Sequence, residues 1–314
     1  MTKNKKIVND QRFLLGIVII AIIVIVAILN PRFIAINNLI TIFQQISVNG
    51  ILTLAIAILM ISGGIDMSVG NMMVLIGLTM ATVMNSTDNT LLGILAGIGV
   101  GMLCGLLNGV IIAKSKCIPL IITLGTSQIF YGIALTISGG SIVTFGGRLN
   151  GIGKTKIGGV VPVMLFVLLA MVLLSYFIMN KTLFGRKITA IGGNEKNAFL
   201  SGIKVTKYKI LTYVICGFYC AIAAIIFCAR IDSIMASAGS GYETTALTSA
   251  IIGGVTFDGG KGTIVGAFLG CVLLGVVNNA MNIMGIQTYI QTIITGIIIV
   301  TAVVLSNINN MHRN

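Results

Sequence analysis

The sequence predicts an all-α fold, a bundle of membrane-spanning helices. Hydrophobic residues make up 56% of the 314 positions and charged residues only 9%, whereas soluble globular domains have about 25% charged residues. Mean hydropathy is +1.07, and the apolar runs approach the about 20 residues that a helix needs to cross a bilayer. Thirty-nine glycines with only three prolines indicate that the helices pack closely. These observations indicate a polytopic membrane protein.

About ten apolar segments are expected to form the bundle. They lie near residues 13–29, 39–61, 69–84, 91–113, 118–137, 161–179, 210–229, 244–257, 263–283 and 287–306. Segment 244–257 is short for a full crossing, so we expect a tilted or half-spanning helix whose irregular end is buried in protein. No small-x-small cleavage site follows the first run, which predicts a retained helix. We interpret residues 1–314 as a single transmembrane domain.

The basic residues predict the orientation of the chain. With the N-terminus inside, fifteen of the twenty Lys and Arg residues fall on the cytoplasmic side. The five on the outer side are Arg32, Arg148, Lys154, Lys156 and Arg230. This asymmetry follows the positive-inside rule and predicts cytoplasmic termini and a long cytoplasmic loop at residues 180–209. Because the charges are dispersed between apolar runs, they suit an anionic lipid surface rather than nucleic acid.

Glycine recurs at every fourth position in two of the segments. The fourth segment contains Gly93, Gly97, Gly101, Gly105 and Gly109, and the ninth contains Gly262, Gly266 and Gly270. Residues four apart share one face of a helix, so each face is bare backbone. We expect another helix to lie against each of them.

Neutral polar residues form four stripes at helical spacing. They are Thr41, Gln45, Asn49 and Thr53; Thr123, Ser127 and Tyr131; Asn278 and Asn282; and Gln287, Gln291 and Thr295. Such side chains are costly against lipid, so they bond to other helices or line a water-filled path. As candidates for the path we select Gln45, Asn49, Thr53, Ser127, Asn278, Asn282 and Gln291. Amides and hydroxyls suit an uncharged, hydroxyl-rich solute.

No catalytic or metal-ligating constellation is found in the sequence. The apolar segments lack paired carboxylates and a His–nucleophile pair, and the single histidine, His312, lies in the C-terminal tail. The stretch GGRLNGIGKT resembles a phosphate-binding loop, but Arg148 stands where the motif requires glycine. The sequence therefore predicts no enzyme, no bound metal and no nucleotide site in this chain.

The stretch SGGIDMSVG at residues 62–70 places a carboxylate between two apolar runs. Because residues 39–61 already cover about 33 Å, we expect Asp66 at the cytoplasmic interface, capping the next helix or favouring its N-terminus. Flanking glycines permit a sharp turn. The candidate turn residues are Gly63, Gly64, Asp66 and Gly70. Contact with a partner or a gate is the alternative.

Three phrases carry a family resemblance. SGGIDMSVG, FGRKITAIGGNEKNAFLSGIKV and GYETTALTSAIIGGVTFDGGKGTIVGAFLG together resemble the membrane permease subunits of bacterial ABC importers for ribose and related monosaccharides such as xylose, arabinose and galactosides. INNLITIFQQISVNG and VVNNAMNIMG are similar to the ribose-type branch. The resemblance covers residues from about 30 to 305 in unbroken order.

The resemblance implies an ABC importer transmembrane-domain fold and alternating access driven by ATP. The implied partners are a second permease copy or close relative, a cytoplasmic ABC ATPase that binds ATP and Mg²⁺, and an extracytoplasmic sugar-binding protein. The family's coupling helix has the pattern E-A-A-x-x-x-G. Glu195, Ala198 and Gly202 match its acid, second alanine and glycine, whereas Lys196 and Asn197 depart from it. The predicted coupling residues are Gly193, Asn194, Glu195, Ala198 and Gly202.

The expected function is thus import of a monosaccharide, most closely ribose, across the bacterial cytoplasmic membrane. The sequence does not identify the sugar, because selection is expected to fall largely to the binding protein. Two other classes remain open, an ATP-independent facilitator or channel and a structural membrane scaffold. In GYETT, Thr244 and Thr245 replace a leucine and an acid of the family. We expect Glu243 near the outer mouth with Arg230 and Asp232, as an ion-pair cluster or a docking edge.

Overall fold

The computed structural model describes residues 11–115, 117–159 and 161–311. The basic N-terminal segment, residues 1–10, and His312 lie outside the described residues. Nine long helices dominate the described chain: α1 (Gln11–Leu29), α2 (Ile36–Ile61), α3 (Val69–Thr87), α4 (Thr90–Ser115), α5 (Pro119–Ser138), α7 (Val163–Lys181), α10 (Val205–Ile231), α12 (Ile264–Ile283) and α13 (Thr288–Met311).

Shorter elements connect these helices. The short α-helices are α6 (Asn150–Gly153), α8 (Leu183–Gly193), α9 (Glu195–Leu200) and α11 (Tyr242–Ile252), and two 3₁₀ helices span Pro31–Ile34 and Ala236–Gly239. The strands are β1 (Val143–Thr144), β2 (Lys156–Ile157), β3 (Val161–Pro162) and β4 (Ser233–Ile234). Antiparallel pairing places Val143 opposite Ile234 and Lys156 opposite Pro162. We call the end of the bundle with β1 and β4 the strand end, and the opposite end the α9 end.

The predicted all-α membrane bundle is confirmed, and the expected count of about ten segments is approximate. Within the described residues, eight helices are long and apolar enough to cross a membrane: α1 from Arg12, α2, α3, α4, α5, α7, α10 and α12. Helix α11 has only 11 residues, as the half-spanning expectation for segment 244–257 requires. In α13 the apolar stretch is Thr288–Thr301.

Helix α2 forms the centre of the bundle. Every residue of α2 from Ile46 to Ile61 is buried except Asn49, and the helix contacts α7, α10, α11 and α12. A helix that is apolar around its whole circumference is stable only where other helices surround it. At its C-terminus Gly63, with φ +80°, and Gly64 donate backbone hydrogen bonds of 2.9 Å to Met60 and Leu59. This is a Schellman motif, so the predicted turn begins at these two glycines.

The glycine stripe of the fourth segment lies at the interface of α4 with α3 and α10. All five of its glycines are buried. A Cβ at Gly105 would collide with the carbonyl of Tyr213, and one at Gly101 with the carbonyl of Gly217. Gly266 and Gly270 of α12 lie equally close to Gly253 and Ser249 at the end of α11. The predicted packing is confirmed for the first stripe and for Gly266 and Gly270 of the second, whereas Gly262 is exposed and precedes α12.

The chain folds back into the bundle after α10. From Asp232 at the strand end it passes through β4 and the 3₁₀ helix Ala236–Gly239, which contacts α3 and α5, to α11. At the α9 end Gly260 donates a 2.9 Å hydrogen bond to the Ile61 carbonyl. Residues 232–260 therefore cross the bundle as a broken segment, whose non-helical backbone is covered by neighbouring helices.

Candidate substrate cavity and coupling loop

A polar cavity of about 360 Å³ lies between α3, α5 and the start of α11. Its polar lining comprises Asn71, Ser127, Gln128, Tyr131, Ser237, Ser240 and Glu243. Met67 and Leu124 add apolar wall. Hydroxyl, amide and carboxylate groups thus face one space, and the lining contains no Lys or Arg.

Hydrogen bonds between α3 and α5 shape one wall of the cavity. The Asn71 side-chain amide donates to the hydroxyl of Ser127 at 2.9 Å and to its carbonyl at 3.2 Å. The backbone N–H of Met67 donates to the Thr123 hydroxyl at 3.1 Å. The predicted stripe of Thr123, Ser127 and Tyr131 therefore faces α3 and the cavity.

Glu243 forms the opposite wall, in the first turn of α11. One of its carboxylate oxygens accepts a 3.2 Å hydrogen bond from the backbone N–H of Gly241. Its other oxygen lies beside Gly70, where a Cβ would collide with it and with the Gly239 carbonyl. Gly70 belongs to α3 and not to the predicted turn. Because it lacks a side chain, α3 can approach Glu243 and the 3₁₀ helix closely.

The cavity is open on the α5 side, where Leu124 and Gln128 are exposed, and it lies far from the strand end, which corrects the expected place of Glu243. Gly70 is seventeen residues from Thr87, the strand end of α3, which corresponds to about 25 Å of helix. Asp232 stays at the strand end, where both its carboxylate oxygens accept from the Gly147 N–H at 3.0 Å. Within the described chain no ion pair joins Glu243, Asp232 and Arg230. The expected cluster fails because the chain turns inward after Asp232.

The other predicted path residues lie elsewhere. Gln45 and Asn49 are half-buried on α2, and Thr53 is fully buried and donates to the Asn49 carbonyl at 2.7 Å. The side chain of Gln291 on α13 donates a 2.9 Å hydrogen bond to Asn282 of α12, and this bond between two helices is exposed. Asn278 is half-buried. Of the seven candidates, Ser127 alone lines the cavity.

Several cavity residues were missed in the sequence. Asn71, Gln128 and Ser240 belong to no regular polar stripe, and Asn71 meets Ser127 only because α3 packs against α5. For Asn71 and Gln128 the available signal was an isolated amide inside an apolar run. The same applies to Asn38 and Asn279, which exchange two side-chain hydrogen bonds of 2.9 Å between α2 and α12.

Asp66 is fully buried by the protein, and its expected place at the cytoplasmic interface of the membrane stays a prediction. Its carboxylate accepts from the Ser68 N–H at 2.8 Å, from the Ser68 hydroxyl and from the Asn108 amide at 3.1 Å. The hydroxyl of Tyr213 donates a 3.0 Å hydrogen bond to the carbonyl of Ile65, the residue before Asp66. Ser68 is the N-cap residue of α3, so Asp66 stabilises the preceding turn. These three hydrogen bonds offset part of the cost of burying the carboxyl group.

The predicted coupling residues surround α9. Asn194 caps this helix by accepting a 2.9 Å hydrogen bond from the Asn197 N–H, and Glu195 in the first turn forms an ion pair with Lys209 of α10. Ala198 is buried against Ile191 and Val205. Asn194, Glu195 and Ala198 therefore fix α9 to its neighbours α8 and α10.

Gly202 ends α9 in a second Schellman motif. Its φ is +81°, and the N–H groups of Gly202 and Ile203 donate to the carbonyls of Phe199 and Ala198 at 2.9 and 3.1 Å. A left-handed residue at this position is usually glycine. The predicted Gly193 is the last residue of α8, with open space where a Cβ would point.

Apolar side chains of α9 project away from the bundle. Phe199 is 68% and Leu200 72% exposed. A groove of about 510 Å³ lies at the start of α10 and is bordered by Phe199, Lys204, Thr206 and Lys207. An exposed apolar pair next to lysines is typical of a contact surface for another protein.

The bundle, its polar cavity and the helix-bearing loop define a transport permease of the multi-pass membrane class. Residues 38–303 match the family described as "Branched-chain amino acid transport system / permease component". The chain belongs to this family.

Named relatives share most of the chain. The ribose import permease protein RbsC of Escherichia coli (strain K12) is 36% identical over 305 residues, covering 95% of this chain and 94% of the relative. RbsC of Bacillus subtilis (strain 168) is 36% identical over 289 residues, covering 90% and 89%. The D-allose transport system permease protein AlsC of E. coli (strain K12) is 37% identical over 295 residues, covering 92% and 90%. No solved structure matches the chain. The sequence-based resemblance to monosaccharide permeases is confirmed.

Proposed function

We propose that this protein is the membrane permease subunit of an ATP-driven importer for a monosaccharide, with ribose as the first candidate. The observation that carries the proposal is the full-length similarity to permeases named for ribose and allose. The cavity supports it independently, because its amide, hydroxyl and carboxylate groups pair with sugar hydroxyls. The chain acts as a single transmembrane unit that moves the sugar without covalent chemistry.

ATP hydrolysis takes place on a partner ATPase that binds ATP and Mg²⁺. In this proposal the ATPase docks on α9, where Phe199 and Leu200 are exposed. Asn194, Glu195, Ala198 and Gly202 fix α9 to α8 and α10 through a cap, an ion pair, a buried contact and a helix stop. A movement of the ATPase therefore reaches α10 through short, rigid contacts.

The sugar passes through the polar cavity as the bundle alternates between inward- and outward-open states. Gln128, the tenth of the twenty residues of α5, is exposed. An amide facing lipid at the middle of a span is costly, which supports a second permease copy, or a close relative, across a water-filled path from α5. A sugar-binding protein delivers the solute at the strand end.

The protein resides in the bacterial cytoplasmic membrane, with its α9 end and both termini in the cytoplasm. The distribution of the Lys and Arg residues supports this orientation. Lys204, Lys207 and Lys209 follow α9, whereas Arg148, Lys154 and Lys156 lie near the strand end.

Reconstitution tests the proposal. The chain is purified together with a candidate ABC ATPase and a candidate sugar-binding protein and placed in proteoliposomes with ATP inside. The expected result is ribose uptake that requires ATP, the ATPase and the binding protein, with two permease chains per complex by native mass spectrometry. Uptake by the permease alone would favour the facilitator, and a complex that moves no sugar would favour the scaffold.

A further inference from the structure

The backbone of the broken segment, residues 232–260, leaves helical conformation beside the cavity. Between β4 and α11 the backbone forms a 3₁₀ helix that ends at Gly239, and Gly241 adopts φ +87° before α11 begins at Tyr242. Helical hydrogen bonding is therefore interrupted deep in the bundle, beside the first turn of α3. Irregular backbone at such a depth is tolerated where protein or a water-filled cavity covers it.

Glu243 stands at this break without a cationic partner. Among the residues that the structure describes, no Lys or Arg forms an ion pair with it, and the hydrogen bond to it that the structure shows comes from the Gly241 N–H. An ionisable side chain inside a membrane protein without a partner marks a functional position. Its second oxygen lies at the cavity wall beside Gly70.

The surroundings of Glu243 suit a neutral ligand rich in hydroxyl groups. The Asn71 side-chain nitrogen donates to Ser127, and its amide oxygen takes no part in these two hydrogen bonds. Gln128 and Ser240 supply further donors and acceptors. A single water needs about 10–15 Å³, so a cavity of about 360 Å³ admits a solute of many atoms. A carboxylate accepts hydrogen bonds from hydroxyls and repels anions.

We propose that this cavity is a sugar-binding subsite within the permease itself and that Glu243 is its specificity-determining residue. The carboxylate accepts hydrogen bonds from sugar hydroxyls, while Asn71, Ser127 and Gln128 complete the polar contacts. The inference rests on the proposed function as a monosaccharide importer. It adds a solute-recognising step after release from the binding protein, so the permease also selects for hydroxyl-rich solutes.

Transport kinetics of Glu243 variants test the subsite in the reconstituted complex. Glu243→Ala should lower the maximal rate of ribose uptake at least about tenfold, the effect of a lost hydrogen bond to a charged group. The maximal uptake rate of Glu243→Gln, which keeps the shape of the side chain, should lie between those of the wild type and Glu243→Ala. Half-saturation by the loaded binding protein and the ATPase activity that it stimulates should not change. Asp88→Asn removes an exposed carboxylate at the strand end and should transport normally.

A labelling experiment measures binding without transport. In a Cys117→Ser background, Ser240→Cys places a thiol on the cavity wall. Ribose at millimolar concentration should slow its reaction with a small maleimide, whereas trimethylamine N-oxide should not, and the protection should disappear when Glu243→Gln is added.

The outcomes separate the two proposals. If the wild-type complex takes up no ribose, the proposed function is wrong. If it transports and Glu243→Ala transports equally well, or if ribose gives no protection, the subsite is wrong. Loss of ATPase stimulation together with uptake in Glu243→Gln would assign Glu243 a coupling role and also overturn the subsite.

Discussion

Asn108, on α4, donates a 3.1 Å hydrogen bond to the carboxylate of Asp66, which is buried completely in the turn between α2 and α3. The same amide donates 3.0 Å to the Ser68 hydroxyl, while Asn108 Oδ1 has no partner within the described chain. One amide thus connects α4 to the turn that leads into the cavity wall at Met67. The stability of this turn depends on that connection.

Replacing Asn108 should destabilise the protein. Asn108→Ala leaves a buried carboxylate with one donor fewer, and we expect a loss of about 1–3 kcal/mol in urea unfolding of the purified protein in detergent. Asn180→Ala, which removes an exposed amide bonded within its own helix, should have no measurable effect. In a double-mutant cycle with Asp66→Ala the losses should be less than additive; full additivity would show that the two side chains do not interact.

Two glycines on one helix provide a matched test of the α4–α10 contact. Gly105→Ala drives a Cβ into the Tyr213 carbonyl, whereas Gly99→Ala points into open space. The first should destabilise by about 1–3 kcal/mol, as overpacking does. The second should be neutral or stabilise by up to about 1 kcal/mol, because alanine favours the helix. Thermal midpoints in detergent measure both, and equal shifts would contradict the close contact.

Variants of Asn71 and Asn282 test whether the sugar passes through the cavity or along the polar stripe predicted from the sequence. Asn71→Leu places an apolar group in the cavity and should lower ribose uptake several-fold while the complex still assembles. Asn282→Leu removes the bond to Gln291 and should leave uptake close to wild type. Uptake by reconstituted complexes is the measurement. The reverse pattern would restore Asn282 and Gln291 to the path and remove the cavity from it.

The exposed phenylalanine of α9 should be needed for coupling. Phe199→Ala removes an apolar side chain that is 68% exposed, and ATPase activity stimulated by the binding protein should fall along with co-purification of the ATPase. Phe177→Ala, on α7 and 58% exposed, is the control. Gly202→Val should act similarly, because β-branched residues are strained at φ +81°. Unchanged uptake in both loop variants would exclude α9 as the docking helix.

Cys117 reports the orientation. It is the exposed cysteine between α4 and α5, whereas Cys104, Cys216, Cys220, Cys228 and Cys271 are buried. A membrane-impermeant maleimide should label the protein in inside-out vesicles and not in intact cells. Cys117→Ser should abolish the labelling. Labelling of intact cells would reverse the proposed orientation.

The helices could be read from the sequence because lipid permits few backbone solutions. Long apolar runs become helices wherever water is absent, and the glycines at every fourth position marked the real contact faces of α4 and α12. The incomplete crossing of segment 244–257 was also predicted, since a helix of 14 residues cannot span about 30 Å. Local rules sufficed for these features because each depends on residues close in the chain.

The cavity could not be read in the same way. Helical spacing shows that Ser127 and Asn282 each belong to a polar face, but not which neighbour that face meets. Asn71, Ser127 and Glu243 come together only because the chain after Asp232 re-enters the bundle. The burial of Asp66 could not be predicted for a related reason: hydropathy gives depth along a span, whereas burial depends on the helices that surround the turn.

Three glycine-containing connections meet at the α9 end without intervening side chains. A Cβ at Gly192 would collide with the Ile61 carbonyl and the Gly260 backbone, and one at Gly260 would collide with Gly193. Backbone lies directly on backbone, so no rotamer change can absorb a small displacement of α8. The junction therefore works as a stiff linkage: a shift of the loop that carries α9 is passed at once to the ends of α2 and of the broken segment that bears Glu243.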